Sequence, residues 1–373
     1  MKIGIVCYPT FGGSGVVATE LGKALSEKGN TVHFISYAQP ARLNFFNDNL
    51  FYHEVSVKNY PLFDYPPYET SLTSKLVEIV KFENLDLIHV HYAIPHASSA
   101  ILAKEILKTM NINVPVITTL HGTDITLVGK DPSCKPVINH SINHSDGVTA
   151  VSKNLKEETL NTFEIKNDIK VIPNFIDLKI YQNVKRNTYK SKLCDKGEKL
   201  LIHTSNFRRV KRIQDVINVF CKIRNKVPSK LIMIGDGPER ANIESLTRSL
   251  CSLRDVMFIG KIPDVENVLY NADLFLLTSE KESFGLSALE AMASYVPVIS
   301  SNAGGLPELV KEGFSGYTCD IGDTEEMFKK SLLLLDENKS IEFKKNSYEL
   351  AKKFDIENIL PLYINFYNSI INK

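Results

Sequence analysis

Charge of one sign is what this chain has least of. Its 373 residues hold 44 basic against 43 acidic side chains, a formal net charge of +1. No polybasic arm or single-sign block breaks that balance, which excludes the electrostatic footprint of a nucleic-acid binder. No apolar run approaches transmembrane length, and no tight membrane anchor is indicated. The opening MKIGIVCYP is an apolar strand, too short for a signal-peptide core and without a small-residue cleavage site. The six cysteines (Cys7, Cys134, Cys194, Cys221, Cys251, Cys319) are scattered and form no CxxC. The expectation is therefore reduced thiols in a cytoplasmic protein rather than a disulfide framework. With 43% hydrophobic and 23% charged residues the composition is that of a globular protein, and the length suits two domains, each with its own core.

What is present is alternation. Short β-branched apolar runs alternate with amphipathic stretches from end to end, the pattern of parallel α/β sheets. Strands are expected at 3–8, 31–36, 87–91, 116–120 and 147–151, with 170–172 closing the first sheet. Helices are expected at 16–28, ended by Gly29, and at 98–110. A second series of strands follows at 200–204, 230–234, 256–259, 274–277 and 298–300, after a polar linker and lead-in over 177–199. The predicted fold is α/β, two doubly wound Rossmann-like domains over 1–172 and 173–354. Such a pair places a ligand cleft between the carboxyl edges of its sheets.

The richest segment is 278–290, TSEKESFGLSALE. Ser283, Phe284, Gly285 and Leu286 stand at the mouth of a helix, where unpaired N–H groups and the dipole favour a phosphate. Helical rise would set Glu282 and Glu290 roughly 12 Å apart, a span suited to a nucleotide sugar. The plainer alternative is a solvated glutamate followed by a helix-start carboxylate. Residues 206–212, NFRRVKR, put four cations at a strand–helix junction, where they would neutralise a diphosphate and its developing charge. A solvated helix start is disfavoured, because cations are the wrong sign there. No D-x-D occurs to hold a divalent ion, so Arg208, Lys211 and helix N-termini would supply the positive charge. The turn Gly235-Asp236-Gly237-Pro238 reads as structural.

In the first half, Gly13, Gly15 and Ala18 fit the dinucleotide pattern G-x-G-x-x-A, which raises an NAD-dependent dehydrogenase. That pattern needs an acid at the end of the second strand, and Ser36-Tyr37-Ala38-Gln39 stands there instead. The loop is better read as letting backbone approach a phosphate or sugar, with a purely structural turn as the alternative. His89, His91 and His96 cluster at a strand end and suggest zinc, but no third-ligand pattern with a general-base glutamate accompanies them. Tyr92 is expected to face the cleft. His121 ends another strand and suits a hydrogen bond to a sugar hydroxyl or a loop-capping role; Asp124 suits a turn cap.

Together these segments resemble the family-four retaining glycosyltransferases of the GT-B fold. The likeness spans the glycine loop at 12–15, the basic patch, IGDGPE at 234–239, Glu282 with Glu290, SNAGGLPELV at 301–310 and GFSGY at 313–317. HVHYAIPHA and TTLHGTDIT are similar to the subgroup that glycosylates L-malate on the way to bacillithiol. The resemblance implies that Glu290 binds the ribose of UDP, and Glu282 the hydroxyls of N-acetylglucosamine. It implies that Arg208 and Lys211 hold the diphosphate, with backbone near Gly13 and Phe284–Leu286; Gly15, Asn206, Ile262, Ser283 and Gly285 complete the expected donor set. His121 would face the donor sugar and join Lys211, Arg208 and Glu282 as catalytic. Ser14, Tyr92 and Thr119 would line the malate side, and Arg42 would pair a carboxylate. The family's usual Gly-Arg pair is Ser205-Asn206 here, which moves the charge to Arg208. Residues 355–373 would cross back onto the first domain. The implied partners are UDP-N-acetylglucosamine and L-malate, with no metal, further cofactor, nucleic acid or membrane anchor; a homo-oligomer stays open. Three alternatives keep parts of the same machinery: a lipid or glycan acceptor, a UDP-N-acetylglucosamine epimerase, and a non-catalytic nucleotide-sugar sensor.

Overall fold

The computed structural model describes every residue except 44–46, 58–66, 183, 185–189, 191–192, 252–253 and 373. The chain divides into two compact units, Met1–Asn174 with Ile356–Lys373, and Phe175–Asp355. No helix among the described residues is long and apolar enough to cross a membrane.

The first unit is built on a seven-stranded, wholly parallel sheet in the order β3-β2-β1-β4-β5-β6-β7. Its strands are β1 (Lys2–Val6), β2 (Thr31–Ser36), β3 (Leu50–Glu54), β4 (Leu87–His91), β5 (Val116–Leu120), β6 (Gly147–Ala150) and β7 (Ile169–Val171). The central strands are buried on both faces, as parallel strands between helix layers must be. The edge strand β3 is a strand that the apolar pattern does not announce. Its sequence LFYHE is half-exposed and carries two polar residues. Helices α1 (Gly13–Glu27), α2 (Tyr68–Glu83), α3 (Ser98–Lys108), α4 (Lys135–His144) and α5 (Lys153–Thr162) cover the sheet. Helix α1 begins tight against the loop after β1, because Gly15 has no Cβ; one there would collide with the carbonyl oxygens of Tyr8 and Thr10.

The second unit carries a six-stranded parallel sheet in the order β10-β9-β8-β11-β12-β13. The strands are β8 (Lys199–Thr204), β9 (Ser229–Ile234), β10 (Val256–Gly260), β11 (Leu274–Leu277), β12 (Val298–Ser301) and β13 (Gly316–Cys319). The stretch expected to be linker contains a short helix, α6 (Leu178–Gln182). Helices α7 (Ile213–Arg224), α8 (Arg240–Leu250), α9 (Glu266–Leu269), α10 (Leu286–Ala293), α11 (Leu306–Leu309), α12 (Thr324–Leu335) and α13 (Glu337–Ala351) complete the unit. Its core gathers Leu201, Phe207, Ile217, Phe220, Met233 and Met327, all fully buried. The expectation of six reduced thiols is corrected here. Cys221 on α7 and Cys251 beside α8 are bridged, their Cα atoms 6.0 Å apart and 30 residues apart in sequence. The packing of α7 on α8 brings them together, a proximity that no local spacing reveals.

The last helix, α14 (Ile356–Ile371), belongs to the first unit. It buries Ile359, Leu360, Tyr363, Tyr367 and Ile370 on one face, at the helical spacing of about 3.6 residues per turn. The Tyr367 hydroxyl hydrogen-bonds with His89 Nδ1 of β4 at 2.8 Å, so the helix is fixed by a buried polar contact as well as apolar packing. Removing a large buried aromatic leaves a cavity that the surroundings only partly fill, so Tyr367→Ala should cost about 3–5 kcal/mol. Urea denaturation measures this. A loss under about 1 kcal/mol would detach α14 from the core of the first unit.

Candidate active site

In the second unit, two loops leave neighbouring strands at their carboxyl ends and are locked to each other. The loop after β8 carries Asn206 to Arg212, and the loop after β11 carries Thr278 to Gly285. Thr278 Oγ1 donates to the carbonyls of Lys211 (3.1 Å) and Arg212 (2.9 Å), and Glu280 N–H donates to Val210 O at 2.7 Å. Across this seam Lys211 Nζ donates to Glu282 Oε2 at 2.6 Å, and Ser279 Oγ donates to the same oxygen at 3.2 Å. The basic loop is braced from behind by the GDGP turn: Phe207 N–H donates to Asp236 O (3.0 Å), and Glu239 N–H to Phe207 O (2.9 Å). The four cations expected there as one patch divide into three kinds. Arg212 Nε donates to Asp215 Oδ2 at 2.6 Å in the first turn of α7, which neutralises the unfavourable charge at that helix start. Lys211 is paired, and Arg208 and Arg209 are exposed.

Helix α10 begins at Leu286, with Gly285 in the left-handed region (φ +98°) as its N-cap. A Cβ on Gly285 would also meet Leu306, so only glycine serves there. Glu282 therefore lies in the loop before the helix. The roughly 12 Å helical span assumed for Glu282 and Glu290 does not apply, since only Glu290 is on the helix. Glu290 is buried; Ser283 and Leu286 are half-buried; Phe284 packs edge-on against Phe354 at 5.6 Å. Asn206 is exposed on the basic loop, and Ile262 is half-buried just past β10, whose Gly260 O accepts from Gly235 N–H of the bracing turn. The second-unit residues expected on the donor side thus lie in loops at the carboxyl edge of its sheet or, for Leu286 and Glu290, on α10, while Gly13, Gly15 and His121 lie in the first unit.

The first unit gathers a different chemistry at its carboxyl edge. Ser14 Oγ in the first turn of α1 hydrogen-bonds with Tyr92 Oη at 2.6 Å, and Gly13 beside it is exposed. The Tyr92 ring leans on Tyr8 (5.5 Å) and His121 (5.3 Å). His121 Nε2 hydrogen-bonds with His91 Nδ1 at 2.7 Å, and His96 Nδ1 donates to the His91 carbonyl at 2.6 Å. Asp124 ties these loops together, accepting from Ala93 N–H (2.8 Å) and Gly122 N–H (3.0 Å). Arg42 is half-buried in the loop after β2 with φ +65°.

Thr119 needs correction. It is completely buried, and its hydroxyl is committed to His89 Nε2 and Thr149 Oγ1, both at 2.7 Å. A relay of Tyr367, His89, Thr119 and Thr149 runs behind the site, so Thr119 lines no surface. The same contacts occupy both ring nitrogens of His89 and remove it as a metal ligand. Sequence reasoning missed His91 as the partner of His121; alternation along β4 and β5 would have put both on one face.

Residues 11–180 match the family described as Glycosyltransferase Family 4, and residues 184–353 match Glycosyl transferases group 1. The chain is 45% identical over 377 residues to the N-acetyl-alpha-D-glucosaminyl L-malate synthase of Bacillus anthracis, covering all of this chain and 97% of that one. It is 30% identical over 336 residues to an uncharacterised glycosyltransferase of Methanocaldococcus jannaschii, covering 85% of this chain and 84% of the relative. Among solved structures it resembles Anabaena HepE in complex with UDP and glucose. That match has a TM-score of 0.83 at 20% identity and covers 99% of this chain and all of the other, a likeness of fold.

Burial sets the electrostatics of the first unit's site. It pushes His89 and His121 down to about 3 and His96 to about 4, with neighbouring histidines adding to the effect on His89 and His121. His91 lies well below its ordinary value for the same reasons. All four are neutral imidazoles at neutral pH. Burial pushes Asp124 up to about 6 against its backbone hydrogen bonds. A depressed histidine pKa means that the unfolded chain takes up protons first. Its contribution is present above about 6.5 and is lost as pH falls toward 3 to 4. Asp124 has the opposite sign, and its contribution is lost as pH rises through about 6. Four histidines outweigh one aspartate. Unfolding free energy should therefore rise with pH between about 4 and 6.5 and flatten above. Denaturant titrations across that range check the slope, and a flat profile would contradict the buried neutral cluster.

Proposed function

This chain belongs to the family 4, group 1 glycosyltransferases, and on that footing we propose that it moves N-acetylglucosamine from UDP to the hydroxyl of L-malate, with retention at the anomeric carbon. The observation that carries the reading is 45% identity along the whole chain to a relative named for that product. The transfer is assigned to the cytoplasm and acts on two small molecules.

In this reading Lys211 and Arg208 take the diphosphate, Glu290 the ribose hydroxyls and Glu282 the sugar hydroxyls, with the α10 N-terminus adding its N–H groups and dipole. Before the donor arrives, Glu282 holds Lys211 in position and offsets its charge. A diphosphate competes for Lys211, which leaves Glu282 free to accept hydrogen bonds from the sugar. The malate hydroxyl oxygen bonds to the anomeric carbon on the face that UDP leaves. The bond from that carbon to the β-phosphate oxygen breaks, and the hydroxyl proton passes to the departing phosphate. No protein nucleophile is invoked. Positive charge beside the leaving diphosphate matters most in the transition state, where its negative charge develops. His121, neutral and hydrogen-bonded to His91, serves as a fixed hydrogen-bonding group toward the donor sugar. Ser14, at the first turn of α1, and Tyr92 supply hydroxyls toward malate, and Arg42 supplies a cation.

Incubation with UDP-N-acetylglucosamine, with and without L-malate, should give UDP release that depends on malate and a product one N-acetylhexosamine heavier than malate. Release without an acceptor would indicate epimerase or hydrolytic chemistry, and release stimulated only by a lipid or glycan would move the acceptor. Succinate lacks the hydroxyl and should at best inhibit. Initial rates should survive EDTA, because the counter-charge is the protein's own. Within the site, Glu290→Ala should weaken UDP binding by about 1–3 kcal/mol. Lys211→Ala should lower kcat by about a hundredfold, more than it weakens donor binding. Equal losses for Lys211→Ala would confine that residue to ground-state binding.

A further inference from the structure

Away from these residues, three side chains meet at the free edge of the first unit's sheet. The register of β2 on β3 sets His33 opposite Phe51 and Ile35 opposite His53. Side chains alternate along a strand, so these four share one face, the face where Ile35 packs with Leu76, Ile79 and Val80 of α2. The His33 ring stacks on Phe51 with centroids 4.9 Å apart, and its Nδ1 lies 2.9 Å from His53 Nε2. Helix α2 ends at Glu83, and its carboxylate completes the group. One ligand atom from each of the three lies within 4.8 Å of the other two.

Beyond one hydrogen bond between the two imidazoles, the corner brings a carboxylate to the same point. His33 is 1% exposed, and its Nε2 has no partner among the described residues. An ion held on Nδ1 keeps the proton on Nε2 and gives that nitrogen no partner, so it is the convergence of three ligand atoms that points to an ion.

We propose that His33, His53 and Glu83 form a binding site for a divalent transition-metal ion of the zinc type. Two imidazoles and a carboxylate are a borderline-soft donor set that suits zinc and disfavours magnesium or calcium. Bonds of about 2.0–2.1 Å in tetrahedral array put donor atoms about 3.3 Å apart, so the imidazoles need to part by only a few tenths of an ångström. His53 and Glu83 are half-buried, and the carboxylate, within 4.8 Å of both nitrogens, closes on the ion by up to about 1.5 Å. Burial holds both histidines neutral near pH 7, His33 at about 4, which leaves lone pairs available. The other charges near the group are mixed, Lys2 and Lys75 against Glu78. The ion joins two strands to the end of a helix, at the edge where, among the described residues, the sheet has no further strand to pair with. Its role is to fasten that edge, separate from the transfer chemistry.

The test uses the full-length protein stripped with a chelator and titrated with zinc alone. One zinc per chain should bind, and the melting temperature should rise by about 2–5 °C while the initial transfer rate stays the same. His53→Ala and Glu83→Gln, both at half-buried positions, should weaken zinc binding about tenfold or more and abolish the thermal shift. The proposal is overturned if no zinc binds. It is equally overturned if both variants bind zinc as the parent does, or if His140→Ala, which removes one of the stacked pair His140 and His144 on α4, abolishes the binding instead.

Discussion

The ion pair between Lys211 and Glu282 is the contact on which the second unit's site depends. It lies across two loops that leave adjacent strands, β8 and β11, and both side chains are largely covered. A pair of this kind contributes modestly to stability, because desolvation offsets much of the attraction. Its value is positional. The Thr278 and Glu280 bonds hold the loops in register, and the pair then fixes where a cation and an anion stand relative to each other. A ligand that is itself an anion joined to a polyol is complementary to that arrangement.

The histidine cluster of the first unit solves a similar problem without charge. Parallel strands bring polar residues to their carboxyl ends, where each buried nitrogen or oxygen needs a partner. Here the partners are imidazoles, hydroxyls and backbone groups, with His91, His96 and His121 packed around Tyr92 and Asp124 bridging the loops. The histidines are too deeply buried to charge, so this cluster presents fixed dipoles, and the cation proposed on this side is Arg42. The two edges are suited to different ligands, and that difference follows from burial rather than from residue type alone.

Strands such as LIHVH and VITTL were legible in the sequence because they are buried along their whole length. Two of the four edge strands were not: LFYHE is half-exposed, and GYTC starts on Gly316, three residues past Gly313. Residues 278–290 stand out by type in the sequence, but their spacing does not follow helical rise, because the helix starts only at Leu286. Thr119 was recognised as a strand-end hydroxyl, and only the packing of α14 shows that it faces inward. The bridge between Cys221 and Cys251, and the meeting of His33, His53 and Glu83, arise from residues 20 to 50 positions apart. Local pattern carries no information about such meetings.

In the proposed mechanism Glu282 restrains Lys211 until a diphosphate takes its place. Titrating UDP, which has no sugar, into Glu282→Gln tests this directly. The account predicts UDP binding as tight as in the parent or tighter, since Lys211 is released, together with a fall in kcat/KM for the full donor. Loss of UDP affinity as large as that caused by Lys211→Ala would contradict it.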